Sequence, residues 1–166
     1  MLPGSKNIRI QDAFFAYALN GASRELGVNG SSTPVRFEIL FPQSNRDFNI
    51  INASLTLSGG KIDDPAGFAG LAAPGLTNGL EIGYILPAGD YPMLTSPFKT
   101  NQELVSGSGL SKPWGFNSTT KDMIQVEFLT DYILRVDAKQ VTGLYVVVND
   151  DLSTLIGRFV CRGNIV

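Results

Sequence analysis

The side chains best equipped for chemistry in this sequence are acidic, because the 166-residue chain contains no histidine. This absence excludes Ser-His-Asp and Cys-His nucleophiles, histidine-ligated zinc and the commonest general base at neutral pH. The acids include two adjacent pairs, Asp63-Asp64 and Asp150-Asp151, and three single residues in loop-like segments, Asp90, Glu103 and Asp122. Enzyme chemistry would therefore have to rest on carboxylates, lysine or a bound metal.

A carboxylate-dependent glycosidase is one activity that these acids allow. Its mechanism needs two carboxyl groups on either side of a sugar bond. Asp150 and Asp151 cannot form that pair together, because neighbouring residues of an extended chain point to opposite sides. The segment Asn149-Asp150-Asp151 is more typical of a turn whose side chains bond nearby backbone amides and set the register of the last two strands. We therefore predict that the protein is not an enzyme.

Metal, phosphate and thiol chemistry also fit the sequence poorly. Asp63-Asp64 and Asn149-Asp150-Asp151 carry hard oxygen ligands, but neither has the alternating acidic spacing of a helix-loop-helix calcium site. The segment 107–112 lacks the Gly-Lys-Ser/Thr ending of a phosphate-binding loop, and Pro113 follows it. The single cysteine, Cys161, excludes an intrachain disulfide, and its alternating surroundings predict a buried thiol. We expect no metal and no cofactor.

Charge and hydropathy restrict the partners of the chain. Lys and Arg number 13 and Asp and Glu 15, which gives a net charge of −2, and the basic residues are scattered. A nucleic-acid backbone is therefore not an expected partner, because it requires clustered cations. No apolar run approaches about 20 residues, the length that spans a membrane. Residues 1–6 also lack the basic start and apolar block of a secretory signal.

Alternation of apolar and polar residues predicts an all-β fold, because a period of two is typical of strands. Within residues 48–58 the apolar phase changes near Ile50-Ile51, which predicts a β-bulge. The strand spacings and the turn residues between them indicate one domain, an antiparallel β-sandwich or jelly roll with long Gly/Pro-rich loops. The pattern occurs in seven segments, residues 35–41, 48–58, 80–86, 124–128, 132–136, 144–148 and 155–161.

The periodicity of the first 27 residues is ambiguous between a strand and a helix. The block 13–19 fits an eighth strand, whereas Phe14, Ala18 and Arg24 could equally share one face of a short helix. We interpret residues 1–27 as an amino-terminal arm or edge strand and residues 28–166 as the β-sandwich domain. An exposed apolar arm is an aggregation liability in a free monomer, so we expect it to pack against a neighbouring subunit.

Two long segments without strand periodicity, residues 59–79 and 87–121, are predicted to be loops. Loops of this length are usually functional or interfacial. Phe68, Leu71 and Leu76 are expected to anchor the first of them in the core. The candidate interface residues are the large apolar side chains of the arm and of the two loops: Phe14, Phe15, Tyr17, Phe68, Leu71, Tyr91, Trp114 and Phe116.

Four short motifs resemble a group of virion proteins of tailed bacteriophages, in which similar motifs come in the same order. They are a Gly-Ser-x-Thr-Pro-Val strand start in residues 28–37, a Leu-Thr-Asn-Gly turn that ends the segment 68–79, a Lys-Thr-Asn element in 98–101 and an Asp-Asp-Leu-Ser turn in 148–153. The resemblance covers most of residues 28–160. It implies a structural component of the particle and brings no catalytic residue.

The resemblance makes a non-enzymatic virion protein the leading hypothesis. Such a protein would be a decoration or cement protein on the head exterior or a component of the head-tail collar, assembled in the bacterial cytoplasm. We expect a homo-oligomer that docks on capsid, portal or neck, or tail proteins. Two alternatives stay open: a carbohydrate-binding, lectin-like appendage that stacks sugars on Trp114 and Tyr91, and the carboxylate-dependent glycosidase.

Overall fold

The structure is a computed structural model that describes residues 12–41, 48–60, 64–93, 96–107, 123–128, 134–136 and 140–165. These residues form strands together with one short helix, and no helix among them is long and apolar enough to cross a membrane. The strands are β1 (Asp12–Tyr17), β2 (Val35–Leu40), β3 (Phe48–Ser58), β4 (Leu80–Leu86), β5 (Gly89–Pro92), β6 (Met123–Phe128), β7 (Leu134–Val136), β8 (Gly143–Val148) and β9 (Ile156–Ile165), and the helix is α1 (Asn101–Gly107).

The strands form two antiparallel sheets that pack against each other, so the predicted all-β sandwich is confirmed. Sheet A has the strand order β1-β9-β3-β6, and β7 also pairs with β3. Sheet B has the order β2-β8-β4-β5. The strand order does not establish the finer assignment as a jelly roll.

The β-bulge predicted near Ile50-Ile51 is present. Along the pairing of β3 with β9, Ile50 lies opposite Gly163 while Asn52 lies opposite Arg162. Ile51 is therefore an extra residue on β3 without a counterpart on β9. Because the bulge shifts the alternation by one, Ile50 and the later residues Ala53 and Leu55 all reach the buried face.

The core lies between the two sheets and follows the predicted alternation. Phe37 on β2, Leu80 on β4 and Phe159 on β9 are fully buried in it. Cys161 is buried as a free thiol, as predicted. Burial raises the pKa of this thiol to about 12, because the thiolate would be poorly solvated there.

Residues 12–17 are an edge strand of sheet A, which is one of the two interpretations offered for the amino-terminal segment. β1 pairs with β9 along its whole length, from Asp12 opposite Ile165 to Tyr17 opposite Val160. The chain then crosses to sheet B, where Leu19 and Glu38 exchange two backbone hydrogen bonds of 2.9 Å. Ala18 and Leu26 are fully buried. Residues 12–27 therefore belong to the sandwich, and residues 1–11 lie outside the described part.

The predicted loop 87–121 contains more regular structure than expected. It begins with β5, which forms a hairpin with β4, and it includes α1. The described parts of the other loop, residues 59–60 and 64–79, contain no strand, and the expected anchors Phe68 and Leu76 are buried. β9 also continues four residues past the predicted end at Cys161.

Candidate functional site

The four motifs of the sequence lie together at one end of the sandwich, and their segments are joined through the backbone. We call this region the loop end and define it as residues 28–34, 64–79, 98–103 and 149–154. Gly30 donates to the carbonyl of Asp150 (2.8 Å), and Leu76 donates to the carbonyl of Lys99 (2.9 Å). A Cβ atom at Gly30 would collide with the carbonyl oxygen of Val148, so only glycine permits this approach.

Asp150 connects two of these motifs through its side chain. Its Oδ1 accepts a hydrogen bond from the backbone N–H of Thr77 (3.0 Å), and its Oδ2 accepts from Asn78 (2.9 Å) and Gly79 (2.6 Å). Three successive amides thus converge on one carboxylate, an arrangement that stabilises an anion. Asp150 is 9% exposed. Its carboxylate is therefore a structural anchor for the loop 77–79.

The neighbouring asparagines reinforce this connection. Asn78 donates through Nδ2 to the carbonyl of Asn149 (3.1 Å), and Asn149 donates through Nδ2 to the carbonyl of Gly79 (3.0 Å). Each motif therefore supplies one amide side chain to the backbone of the other. The two turns are fixed in position without any direct contact between charged side chains.

The interpretation of residues 149–151 as a locally bonded turn is correct for Asp151 and wrong for Asp150. Asp151 Oδ1 accepts from the backbone N–H of Ser153 (3.0 Å) and from its hydroxyl (2.6 Å), and these bonds lower the pKa of Asp151. Asp150 instead bonds amides more than 70 residues away in sequence. The turn also cannot set the register between the last two strands, because β8 and β9 belong to different sheets.

Asn101, the first residue of α1, is the second organiser of the loop end. Its fully buried side chain accepts from the N–H of Ala69 (2.7 Å) and donates to the carbonyls of Asp64 (2.9 Å) and Ala69 (3.2 Å). Ala69 has a φ of 48°, a left-handed conformation that costs an L-residue roughly 1–2 kcal/mol. The two bonds with Asn101 hold Ala69 in this conformation.

The start of α1 is closed by a capping box that sequence analysis missed. Thr100 Oγ1 accepts from the N–H of Glu103 (3.1 Å), and Glu103 Oε2 accepts from the N–H groups of Lys99 (2.6 Å) and Thr100 (3.2 Å). The sequence signal was Thr100-x-x-Glu103, the Ser/Thr-x-x-Glu pattern of a helix start. The capping box could have been found from this pattern, whereas the contacts of Asn101 with Asp64 and Ala69 could not.

The acidic side chains whose contacts the structure describes are engaged in structural bonds. At the loop end, Asp64 accepts from the N–H of Ala66 (2.9 Å), in the same way that Asp150, Asp151 and Glu103 accept from other backbone amides. Among the described residues no group of three or more His, Cys, Asp and Glu side chains is placed to hold a metal ion. Asp63 and Asp122 lie outside the described residues.

A closed network of charges covers the outer face of sheet B. The Tyr145 ring lies over Gly83, where a Cβ atom would come within 2.6 Å of it. The Arg36 guanidinium stacks 4.5 Å from the ring centroid and bonds both Glu38 (2.5 Å) and Asp90 (2.6 and 3.0 Å). The guanidinium thus occupies the space between these two carboxylates. The hydrogen bond with Asp90 raises the pKa of Arg36 most, and the hydrogen bond with Glu38 raises it further.

Exposed aromatic and arginine side chains occupy the outer face of sheet A. The rings of Phe15 and Tyr17 meet edge to face with centroids 5.0 Å apart. The guanidinium of Arg24 lies over the Tyr17 ring (4.7 Å), and that of Arg162 lies over the Phe15 ring (5.5 Å). We call these four residues the arginine–aromatic ladder. A shallow pocket of ≈ 360 Å³ adjoins it, lined by Tyr17, Thr56, Ser58, Ile156, Gly157, Arg158 and Val160.

Three of the predicted interface residues reach the surface. Phe15 is 49% exposed and lies with the partly exposed Tyr17 in the ladder. Tyr91 is 61% exposed on β5, the edge strand of sheet B. The two locations belong to different sheets, so the structure does not bring these aromatics together.

The other five predicted residues have different surroundings. Phe68 is fully buried in the core of the chain, so its side chain is not accessible to a partner. Leu71 is partly buried against the same core. Phe14 lies in β1, where only its backbone is described. Trp114 and Phe116 lie outside the described residues.

Comparison with known proteins returns no matching family model, no matching curated protein and no matching solved structure.

Proposed function

We propose that this protein is a non-enzymatic structural protein of a tailed-phage virion. It docks on neighbouring subunits through its loop end, either as a decoration or cement protein on the head exterior or at the head-tail collar. The observation that carries this proposal is the convergence of all four motifs on one backbone-bonded network. The motifs are far apart in sequence, but they hydrogen-bond to one another in the fold. This explains in physical terms why they occur together in one chain.

The chemistry of the loop end supports docking rather than catalysis. The carboxylates of Asp64, Glu103, Asp150 and Asp151 accept hydrogen bonds from backbone amides of their own chain. Much of the exposed surface is small and neutral, including residues 31–34 and 72–74. A partner can approach these residues closely and contact their backbone groups, while the exposed side chains of Asp64, Glu103 and Asp151 add negative charge.

Rigidity at the loop end also favours docking. Ordering of loops on binding opposes association, so a surface that is already ordered binds more tightly for the same contact area. The bonds of Asp150 to residues 77–79 and of Asn101 to Ala69 supply that order before any partner arrives. A standard interface of about 800 Å² per partner is then sufficient for stable attachment.

Particle composition tests the proposal, with two matched alanine substitutions. Ala72 is exposed at the loop end, and Ala88 is exposed in the β4–β5 turn at the opposite end of the sandwich. The variant Ala72→Arg places a long cation in the docking surface, whereas Ala88→Arg adds the same group elsewhere. We expect Ala72→Arg to lower the copy number per particle at least tenfold at limiting concentration, about 1.4 kcal/mol of binding free energy.

Quantitative mass spectrometry of purified particles measures that copy number. The wild-type chain and Ala88→Arg are expected at the same fixed ratio to the major particle protein. Circular dichroism of each purified variant checks that the β-sandwich is retained. Absence of the wild-type chain from particles of its source, or equal loss of both variants, would overturn the proposal.

A carbohydrate-binding appendage is a second candidate, and the exposure of Tyr91 favours it. Tyr91 is 61% exposed, so one aromatic ring is available at the edge of sheet B, whereas Tyr84, opposite it in the register of β4 and β5, packs against the core. Exposed aromatic rings of this kind are suited to stacking on sugars. A glycan array with wild type and Tyr91→Ala tests this function. Binding that is lost in Tyr91→Ala supports it, and an array without signal above background removes it.

A further inference from the structure

The outer face of sheet A is basic, although the chain as a whole is acidic. We call the outward-facing side of β1, β9, β3 and β6, together with residues 24 and 25, the basic face. Arg24, Arg158 and Arg162 lie on it, and Arg158 pairs with Glu25 (2.7 Å). Glu127 occupies an outward register position on β6, opposite Ser54, so among the described positions the arginines of the face outnumber its acids by three to two. Arg24 and Arg162 have no carboxylate partner among the described residues. Two exposed positive charges on this face are therefore left for an acidic surface.

The basic face also has the composition of a binding surface. Phe15 is 49% exposed, Ile156 61% and Met123 45%, and all three lie on outer strands or strand ends of sheet A. Aromatic residues, methionine and arginine are enriched at protein interfaces, and arginine and aromatic residues dominate their binding energy. The arginine–aromatic ladder fixes these side chains against one another, which lowers the entropy lost when a partner binds.

The loop end has the opposite charge. Its described residues include four carboxylates, Asp64, Glu103, Asp150 and Asp151, and one cation, Lys99. Asp64, Glu103 and Asp151 are exposed, so their charge is available at the surface. The loop end and the basic face point in different directions on the same sandwich, because one is an edge of the sheets and the other is a flat side. They can meet only between two copies of the chain.

We propose that the loop end of one copy docks on the basic face of the next copy, head to tail. This inference rests on the docking role proposed for the loop end and adds the second copy as its partner. A symmetric contact of two basic faces is disfavoured, because it would place Arg24 and Arg162 of one copy near the arginines of the other. A head-to-tail contact instead joins opposite charges, and its repetition forms a ring or a filament.

The basic face has the size that this contact needs. Its strand order is four strands wide, and β9 is 10 residues long. The four strands β1, β9, β3 and β6 have 6, 10, 11 and 6 residues. With strands about 4.8 Å apart and about 3.3 Å per residue, the flat area is on the order of 500 Å² before side-chain relief is added. A stable interface of standard size uses about 800 Å² on each partner. With side-chain relief added, the basic face therefore approaches the area that one partner contributes to a standard interface.

Sedimentation velocity of the full chain tests the inference with two variants that each disable one surface. The face variant Arg24→Glu/Arg162→Glu reverses both unpaired arginines. The loop-end variant Ala66→Lys/Ala72→Lys adds two cations beside the acidic side chains and leaves those side chains in place. Ala88→Lys, at the opposite end of the sandwich, is the control for added charge. A milder face variant, Arg24→Gln/Arg162→Gln, serves if charge reversal prevents folding.

Wild type and Ala88→Lys are expected to associate with increasing concentration, and association is expected to weaken at least threefold between about 0.05 and 0.5 M NaCl. Each disabled variant alone is expected to associate at least tenfold more weakly. An equimolar mixture of the two disabled variants is expected to form dimers and no larger species. The face variant supplies the intact loop end of each dimer and the loop-end variant supplies the intact basic face, so no docking surface is left for a third copy.

Three results would overturn the inference. The first is a wild-type chain that stays monomeric up to about 1 mM, a concentration at which an interface of this size is expected to associate. The second is a face variant that associates like wild type. The third is a mixture of the two disabled variants that forms no dimers. A wild-type chain that stays monomeric yet is found at a fixed ratio on particles would refute the head-to-tail contact alone. The virion role would fail separately, through the particle experiment with Ala72→Arg.

Discussion

Removal of the Asp150 carboxylate is expected to be among the most damaging single changes at the loop end. In Asp150→Ala the N–H groups of Thr77, Asn78 and Gly79 lose their common acceptor. Gly79 is buried, so its amide loses its partner without gaining water, at about 1–3 kcal/mol. The two amides nearer the surface can bind water instead, so each costs only about 0.5–1 kcal/mol. We expect a total loss of about 2–5 kcal/mol.

Urea unfolding followed by circular dichroism measures this loss as a change in the free energy of unfolding. The matched control is Asp151→Ala at the adjacent, exposed residue, which loses only its local bonds with Ser153 and should destabilise the fold far less than Asp150→Ala. In a thermal melt the loss at Asp150 corresponds to a Tm lower by about 4–20 °C for a chain of this size. A change within about 0.5 kcal/mol of wild type, or one equal to that of Asp151→Ala, would refute the assigned role.

Three further substitutions test the fold around the proposed surfaces. Asn101→Ala removes three side-chain hydrogen bonds, two of them buried, and should cost about 2–4 kcal/mol in urea unfolding; full stability in this variant would contradict the role of Asn101. Gly83→Ala places a methyl group 2.6 Å from the Tyr145 ring and should cost about 1–3 kcal/mol, with a changed near-ultraviolet spectrum; an unchanged spectrum would show that the ring does not lie there. The buried thiol of Cys161 stays protonated up to about pH 12 in the folded state, so stability should fall between about pH 9 and 12, where the unfolded thiol ionises first. Cys161→Ala should remove that part of the pH dependence, and an identical profile in wild type and variant would exclude it.

The strands and the core could be predicted because alternation is a local property of the sequence. The bulge at Ile50-Ile51 was visible for the same reason, as a change in the phase of buried residues. β5 was missed because its residues are exposed on both sides and carry no alternation, so only pairing with β4 makes them a strand. The end of β9 was missed likewise, because Arg162-Gly163-Asn164 is held by β1 and β3 on either side.

The loop end could be predicted only in part. The motifs were recognisable as turns, but the partners of Asp150 are 71 to 73 residues away in sequence, and no periodicity reveals such a contact. Asn101 reads as an ordinary helix-start residue until the buried backbone around Ala69 is seen. The roles predicted for Trp114 and Phe116 stay predictions, and so does the place of the protein on the particle.

An electron cryomicroscopy map of the particle from the source of this sequence tests the central proposal most directly. We expect density on the head exterior or at the head-tail collar that fits this two-sheet sandwich, with residues 72–78 of the loop end against a neighbouring subunit. A particle map without such density at either place, or one in which the loop end faces solvent on every copy, would contradict the proposed function.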